Sequence, residues 1–445
     1  MKVGIIGGSG LEDPKFLEGA KEKAVAATPY GTTSSNLICG TIKGVDVCII
    51  SRHGKGHVIG PSQVPYAANI YALRREGCKY IIATTAVGSL KDEIEPGDLV
   101  LPNQAIDSTR KRITTFYDPD GFKSEEAKKE FKFDPNTMHT PMADPFDIRL
   151  RNLFSDMCEE LGYSCHRDKT VVTIEGPRFS TRGESIKFRD RADIINMSTC
   201  PEVFLAKEAG IPYQSIAIST DYDSWKDDGK SVNWDMIKET FSKSVGKVTN
   251  LILKSLEHID EVEDYYVRKK DREYIKSKIR TIPNFPKPGV LFRDITTLFE
   301  DSDGKRKTID AFYNRYRNHD FDLVAGIEAR GFIVASALSH RLGKGLVLLR
   351  KPNKLPHKTL SESYSLEYAD NTLHAHIDSI KPGQRVLLAD DLLATGGTAE
   401  AGCKLIERSG GTVAGVCFIV DLPDLKGREK LSKYNIFSLV EFEGH

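Results

Sequence analysis

Two adjacent carboxylates, Asp390 and Asp391, followed closely by the small-residue run Ala394-Thr395-Gly396-Gly397-Thr398, carry the clearest chemistry in this 445-residue chain. Paired carboxylates suit the two hydroxyls of a ribose. The run behind them can turn backbone N–H groups and two threonine hydroxyls onto a phosphate where a helix begins. It contains neither a Gly-Lys-Ser/Thr ending nor Gly-x-Gly-x-x-Gly, so the common nucleotide fingerprints are excluded. A plain turn after an acidic strand end is the competing reading. A ribose bearing a phosphate fits these residues better. Upstream, Arg330, Arg350, Lys351 and Lys354 stand at the ends of apolar runs, where a polyphosphate would need cations. For the last three, a solvated basic loop is the alternative.

A second set lies in the first half. Ser9, Arg52, His53, Thr85 and Ser198 each follow a short apolar run and could share a dianion. Asp221 and Asp223 are separated by one residue. Positions i and i+2 share a face in extended chain, so both could meet one heteroaromatic ring at a ring nitrogen and an exocyclic amine. A solvated Asp-Tyr-Asp turn is equally open. His139 alone reads as an ordinary surface or core histidine.

The elements that must position these groups are legible as apolar runs. Residues 3–6, 45–50, 80–83, 171–174, 193–195 and 215–218 read as strands, each ending in small, hydroxyl or charged residues. Continuous apolar runs imply a sheet buried on both faces, and ligand groups at strand ends are the habit of open α/β sheets. Helical spacing occupies 66–76 and 203–209. In the second half, 324–327, 346–349 and 386–389 read as strands. Between the halves, 256–278 is densely charged and free of glycine and proline, so a helix or helix pair joins two domains rather than a flexible linker. The expected division is 1–262, a helical connector at 263–274, and 275–445. The fold class is α/β, in two α/β domains.

Lys+Arg and Asp+Glu both number 63, a balance that argues against a general nucleic-acid binder. The start lacks the pattern of a secretory signal, and no apolar run reaches the roughly 18–20 residues of a membrane span. The eight cysteines lack Cys-x-x-Cys spacing, so neither disulfides nor structural zinc are expected. A reduced, cytoplasmic protein without membrane or nucleic-acid partners follows.

Several stretches together resemble a known family: Ile5-Ile6-Gly7-Gly8-Ser9-Gly10-Leu11, Arg52-His53-Gly54, Thr84-Thr85-Ala86, the run from Thr173 through Glu175-Gly176-Pro177-Arg178-Phe179 to Ser180, and Thr220-Asp221-Tyr222-Asp223. They are similar to the 5′-methylthioadenosine phosphorylases of the trimeric purine nucleoside phosphorylase family, over residues 1 to about 260. The resemblance implies a phosphate site of Ser9, Arg52, His53, Thr85, Ala86 and Ser198. It places Met197 against the ribose, His139 toward a neighbouring subunit's 5′-substituent, and Ser180, Asp221 and Asp223 against a 6-aminopurine. Asp221 would be the catalytic acid. The chain departs from the family in having Ser9 and Ser198 where threonine is usual, and Trp234 where a small aliphatic residue is expected beside the 5′-substituent.

Residues 275–445 resemble the adenine phosphoribosyltransferase family through the run from Phe285-Pro286-Lys287-Pro288-Gly289-Val290 to Leu291-Phe292-Arg293-Asp294-Ile295, through Ala329-Arg330-Gly331-Phe332 and Tyr364-Ser365-Leu366-Glu367-Tyr368, and through the 394–398 loop. This implies a type I phosphoribosyltransferase-like domain. The loop (Ala394, Thr395, Gly396, Gly397, Thr398) would hold the 5′-phosphate of phosphoribosyl pyrophosphate, with Asp390 and Asp391 on the ribose hydroxyls. Arg330, Arg350, Lys351 and Lys354 would hold pyrophosphate carrying Mg²⁺. Leu291, Phe292 and Arg293 would border adenine, and Glu367 would manage a purine proton. The joint expectation is a purine-salvage fusion. It takes methylthioadenosine and inorganic phosphate, then adenine and phosphoribosyl pyrophosphate. It would assemble as a homo-oligomer with trimeric and dimeric contacts, as in a hexamer. The alternatives are a first half preferring adenosine or another 6-aminopurine nucleoside, or one half serving as a silent binding or scaffold module.

Overall fold

The computed structural model describes residues 1–7, 16–117, 125–130, 138–227, 233–366 and 369–444. It divides into two units, Met1–Tyr265 and Tyr266–His445.

The first unit is built on nine strands: β1 (Lys2–Ile6), β2 (Glu18–Lys23), β3 (Leu37–Ile42), β4 (Val45–Ile50), β5 (Tyr80–Ser89), β6 (Leu99–Ser108), β7 (Cys165–Ile174), β8 (Ile194–Asn196) and β9 (Tyr213–Asp221). They lie in the order β2-β3-β4-β1-β5-β8-β7-β6-β9, and β9 also pairs with β5. Five strands therefore close on themselves, a feature no run of residues announces. The strands that read as apolar runs are here. The three others do not look like strands in isolation. β2 is charged and wholly exposed, and pairing with β3 alone defines it. β3 is interrupted by Gly40, and β6 carries Pro102, where its register against β7 shifts. A proline inside a ladder removes a donor and accompanies such irregularity.

Alternation sends Ile6 and Ile81 to one face of the sheet and Ile5 and Ile82 to the other. The first face is covered by α1 (Tyr66–Arg75) and α4 (Thr199–Glu208). The second is covered by α2 (Ile148–Glu160) and α5 (Trp234–Leu256). Helix α3 (Arg182–Arg189) starts at a capping box between Thr181 and Glu184. The expectation of no disulfide is corrected: Cys39 and Cys48 are joined. Lys43 and Gly44, both at positive φ, make the two-residue hairpin turn between β3 and β4. That turn sets Cys39 directly opposite Cys48, a pairing invisible to a search for closely spaced cysteines.

The segment between the halves is not one helix. A 3-10 turn at Ile259–Asp264 buries Ile259 and Val262 in the first unit, whereas α6 (Lys269–Ser277) buries Ile275 in the second. The second unit adds the hairpin β10 (Arg280–Pro283) and β11 (Leu291–Asp294), then β12 (Leu323–Ile327), β13 (Gly345–Leu349), the hairpin β14 (Thr359–Leu366) and β15 (Ala369–His376), β16 (Arg385–Leu393), β17 (Thr412–Asp421) and β18 (Ile436–Glu441). Its main sheet, β13-β12-β16-β17-β18, is parallel throughout. Helices α7 (Ser302–Tyr316) and α8 (Gly331–Leu342) cover one face, and α9 (Gly397–Arg408) the other. From β12 the chain moves outward to β13, and from β16 the other way to β17. The β12/β16 boundary is thus the switch point at which such sheets bind ligands. Among the described residues no helix is long and apolar enough to cross a membrane.

Candidate active sites

In the first unit, Arg52 leaves the end of β4 and is buried. Its Nε and Nη2 each donate to the Glu202 carboxylate at 2.7 Å, and Nη1 donates to the Thr84 carbonyl at 2.7 Å. Burial opposes the charge, but Glu202 overrides it and the guanidinium pKa is raised. The Tyr213 hydroxyl donates to the same carboxylate at 2.7 Å. Arg52 is therefore fixed and charge-compensated, and the N–H groups left of a guanidinium's five are what it can offer an oxyanion. His53 follows, its Nδ1 2.9 Å from the Ile59 carbonyl. A carbonyl only accepts, so Nδ1 carries the hydrogen and Nε2 is an acceptor. Burial, with Arg52 second, holds this histidine down to about 4. It is neutral at physiological pH. Its ring stacks on His57 at 4.2 Å, and His57 meets Trp234 at 5.4 Å.

Thr85, on β5, and Ser198, just before α4, share a 2.8 Å hydroxyl contact. Asn196 Nδ2 donates to Thr85 at 3.3 Å and to Thr199 at 2.7 Å, while Thr173 donates 2.9 Å to Asn196 Oδ1. Ala86 is half-buried beside Thr85. Ser9 lies outside the described residues.

Three positions along β5, Gly88 pairs with Asp221 at the end of β9. Thr85 and Gly88 are three residues apart, about 10 Å of strand at about 3.3 Å per residue, and the register against β9 shifts between Val87 and Gly88. Asp221 is buried. Thr220 Oγ1 and the Asp223 N–H donate to its two oxygens at 2.8 Å each. Burial, reinforced by Asp223, outweighs these bonds and raises its pKa to about 6. The two aspartates do not meet as neighbours on an extended strand. β9 stops at Asp221, and Asp223 enters a 3-10 turn at φ 45°. They approach because Asp221 accepts the Asp223 N–H. Ser180 donates to both Asp223 oxygens at 2.7 Å, and Ser185 of α3 donates to one of them. The turn is pinned by Trp225 Nε1 on the Ser89 carbonyl at 2.8 Å, with the Arg189 guanidinium 3.8 Å over the indole. Met197 is half-buried, its carbonyl 3.3 Å from the Tyr66 hydroxyl. His139 is exposed.

In the second unit, β12, β13 and β16 end on one edge and deliver Arg330, Arg350 and the Asp390–Asp391 pair there. Both aspartates are buried, and burial first of all holds the pair above the ordinary carboxylate range. Arg330 Nη2 lies 2.8 Å from Asp391 Oδ2, yet that oxygen has no aligned hydrogen-bond donor. The same guanidinium lies 5.2 Å from the Phe292 ring. Ribose-type acceptors, a cation and an aromatic face thus meet at the switch point. Arg350 is engaged elsewhere: Glu328 receives its Nε and Nη2 at 3.3 Å each, and Lys354 O receives Nη1 at 3.1 Å. The Lys351 and Lys354 side chains are exposed. Arg293 also has a structural task. It donates to Thr281 Oγ1 at 2.6 Å and Glu443 O at 3.0 Å, tying β11 to the C-terminal segment. Phe292, one residue earlier and on the other face of the strand, is the side chain that meets Arg330; Leu291 is half-buried.

Ala394 and Thr395 lead from β16 to Gly396, at φ 79° and ψ −6°, which precedes the first turn of α9 without any side-chain cap. The first N–H groups of a helix have no partner within it, which is what makes a helix start such as Gly397–Thr398 able to hold an anion. Glu367 lies outside the described residues. Glu202, Asn196, Ser185 and Glu328 belong to these sites but follow from no motif. Each is defined by a partner far away in the chain, 150 residues for Glu202 and Arg52.

Comparison with known proteins agrees with this division. Residues 2–257 match the phosphorylase superfamily, and residues 295–444 match the phosphoribosyl transferase domain. The chain belongs to the phosphorylase superfamily and carries a phosphoribosyltransferase domain behind it; it is a pentosyltransferase twice over. The first unit is similar to S-methyl-5′-thioadenosine phosphorylase of Danio rerio, 47% identical over 264 residues, 59% of this chain and 90% of that protein. It is also similar to the structure of methylthioadenosine phosphorylase from Schistosoma mansoni in complex with adenine: 38% identity, TM-score 0.53, 60% of this chain and 96% of the other. An adenine phosphoribosyltransferase structure from Thermoanaerobacter pseudethanolicus covers 38% of this chain and 99% of its own at 47% identity, with a TM-score of 0.38.

Proposed function

We propose that the chain links two steps of purine salvage. The first unit cleaves 5′-methylthioadenosine with phosphate to adenine and 5-methylthioribose 1-phosphate. The second joins adenine to phosphoribosyl pyrophosphate, giving AMP and pyrophosphate. The observation that carries the first step is the buried carboxyl of Asp221, raised to about 6 beside Asp223. A phosphate oxygen attacks C1′ as the C1′–N9 bond breaks through an oxocarbenium-like state. The departing electron pair would leave adenine anionic, so protonation at N7 by Asp221 makes it a better leaving group. Asp223, an acceptor held by Ser180 and Ser185, receives the 6-amino group. Arg52, Thr85 and Ser198 orient the phosphate, and neutral His53 offers it an acceptor, so position supplies much of the rate.

In the second unit, adenine N9 attacks C1′ of phosphoribosyl pyrophosphate while the C1′–oxygen bond to pyrophosphate breaks. Phe292 offers the base a face, Asp390 and Asp391 take the ribose hydroxyls, and the 394–398 loop takes the 5′-phosphate. Glu367 would exchange the purine proton. Asp390 and Asp391 are oxygen donors of the kind Mg²⁺ accepts, and the ion, arriving on the pyrophosphate, would offset charge on that leaving group.

The test is chromatographic. Purified protein is given methylthioadenosine with phosphate, and separately adenine with phosphoribosyl pyrophosphate. Adenine release and AMP formation are expected, and absence of either product overturns that half of the reading. Asp221→Ala should remove the first activity and leave the second. Inosine turned over as readily as methylthioadenosine would overturn the role given to Asp221 and Asp223, and adenosine in the same comparison reports the effect of Trp234.

A further inference from the structure

The 394–398 loop rests on a segment that belongs to none of the sequence motifs. β17 ends at Asp421, and the chain turns through Pro423–Leu425 and Lys426, at φ 56°, into the buried Gly427. A Cβ on Gly427 would overlap the Ala394 carbonyl oxygen and stand 2.8 Å from Leu393 Cδ1. From the other side, a Cβ on Gly396 would stand 2.7 Å from the Gly427 carbonyl oxygen. The two backbones therefore cross at contact distance, and no rotamer change can make room, because main-chain atoms are the obstacle on both sides. The support is fastened below. Arg428 Nε donates to Asp421 at 2.5 Å, and Asp421 is fully buried and in register with Leu393. The Leu422 N–H donates to the Leu393 carbonyl at 3.0 Å.

We propose that Gly427 is a positioning residue for the transfer reaction: its bare backbone sets the height of the 394–398 loop and thereby the affinity for the 5′-phosphate of phosphoribosyl pyrophosphate. The inference rests on reading the second unit as a phosphoribosyltransferase. A side chain at 427 pushes the Ala394 peptide, and the N–H groups behind it, away from the phosphate, while Phe292 stands on β11 and Arg330 at the start of α8.

The experiment uses the full chain with Gly427→Ala. AMP formation is measured while phosphoribosyl pyrophosphate and adenine are varied separately, and phosphorolysis by the first unit reports general integrity. KM for phosphoribosyl pyrophosphate should rise about tenfold, less than the roughly hundredfold that a 1 Å misplacement can cost. KM for adenine, kcat at saturation and phosphorolysis should stay as in the wild type. An unchanged KM for phosphoribosyl pyrophosphate, or an equal rise for both substrates, overturns the proposal. Arg428→Ala unties the support without adding volume and should give the same split, smaller in size. If Gly427→Ala does not fold, an unaltered KM in Arg428→Ala overturns it instead. A wild-type chain that makes no AMP overturns the phosphoribosyltransferase reading itself, and is thereby told apart from failure of the Gly427 role.

Discussion

Asp221 shows how one residue's chemistry is set by its surroundings. A carboxyl that ordinarily titrates near 3.8 is held at about 6 by burial, and in the proposed reaction its proton goes to the leaving purine. The same shift has a stability consequence with a definite sign. The folded-state pKa is raised, so this group's contribution is complete below the unfolded value and is lost as pH climbs through 3.8 to about 6. Asp221→Asn should therefore be more heat-resistant than the wild type at pH 8, by an amount on the order of 2–3 kcal/mol at most. The difference should vanish at pH 4. Calorimetric scans at the two pH values check this, and equal gaps at both would contradict it. The companion case is Arg52, whose partner cannot be removed without leaving a buried charge alone. Glu202→Ala should lower stability by roughly 3–5 kcal/mol, read by urea unfolding, and raise KM for phosphate.

At the scale of elements, β5 carries Thr85 and, three residues on, Gly88 opposite Asp221, while α3 braces Asp223 through Ser185; in the proposed reading these are the phosphate and purine ends. That division makes the two substrates separable. Thr181→Ala removes the hydroxyl of the α3 capping box and should cost about 1 kcal/mol. Fraying of the helix start beside Ser180 and Ser185 should raise KM for the nucleoside and leave KM for phosphate unchanged. Steady-state kinetics with each substrate varied in turn decides this; a rise confined to phosphate would contradict it. In the second unit, the ends of three parallel strands supply the cations and carboxylates, and the loop after β16 leans on Gly427 rather than standing free.

For the whole molecule, the two units have separate cores, and each carries its own candidate site. Asp391→Asn should abolish AMP formation and leave phosphorolysis intact, the mirror image of Asp221→Ala. Loss of both activities in either variant, in separate assays, would contradict the division of labour. We further expect threefold contacts through the first unit and twofold contacts through the second, which close as a D3 hexamer when the axes are perpendicular. Light scattering should then return six times the 49.5 kDa chain mass, and a mass of one or two chains would contradict it.

Much of this protein is written locally. Strands buried on both faces read as largely apolar runs, so β1, β4, β9, β12 and β16 were legible, and the polar residues that follow them suggested a ribose-phosphate loop and a dianion site. The resemblances in those motifs named the two families. Elsewhere the signal is not local. Charged β2 becomes a strand only by pairing. The Asp223 turn, the Cys39–Cys48 bridge, the closure of β5 onto β9, and the engagement of Arg350 and Arg293 with protein partners needed three dimensions. So did the clamp of Glu202 on Arg52 and the contact of Gly427 with Ala394. The reason is physical. Residue type and spacing determine which face a side chain takes and which ligand chemistry it can perform, whereas charge state, partner and clearance depend on desolvation and contacts from residues far away in the chain. Residue types and family resemblance alone pointed to a purine, a phosphate and a phosphoribosyl group as the expected ligands; the tertiary structure decided which carboxyl is raised by burial and which cations are engaged by protein partners.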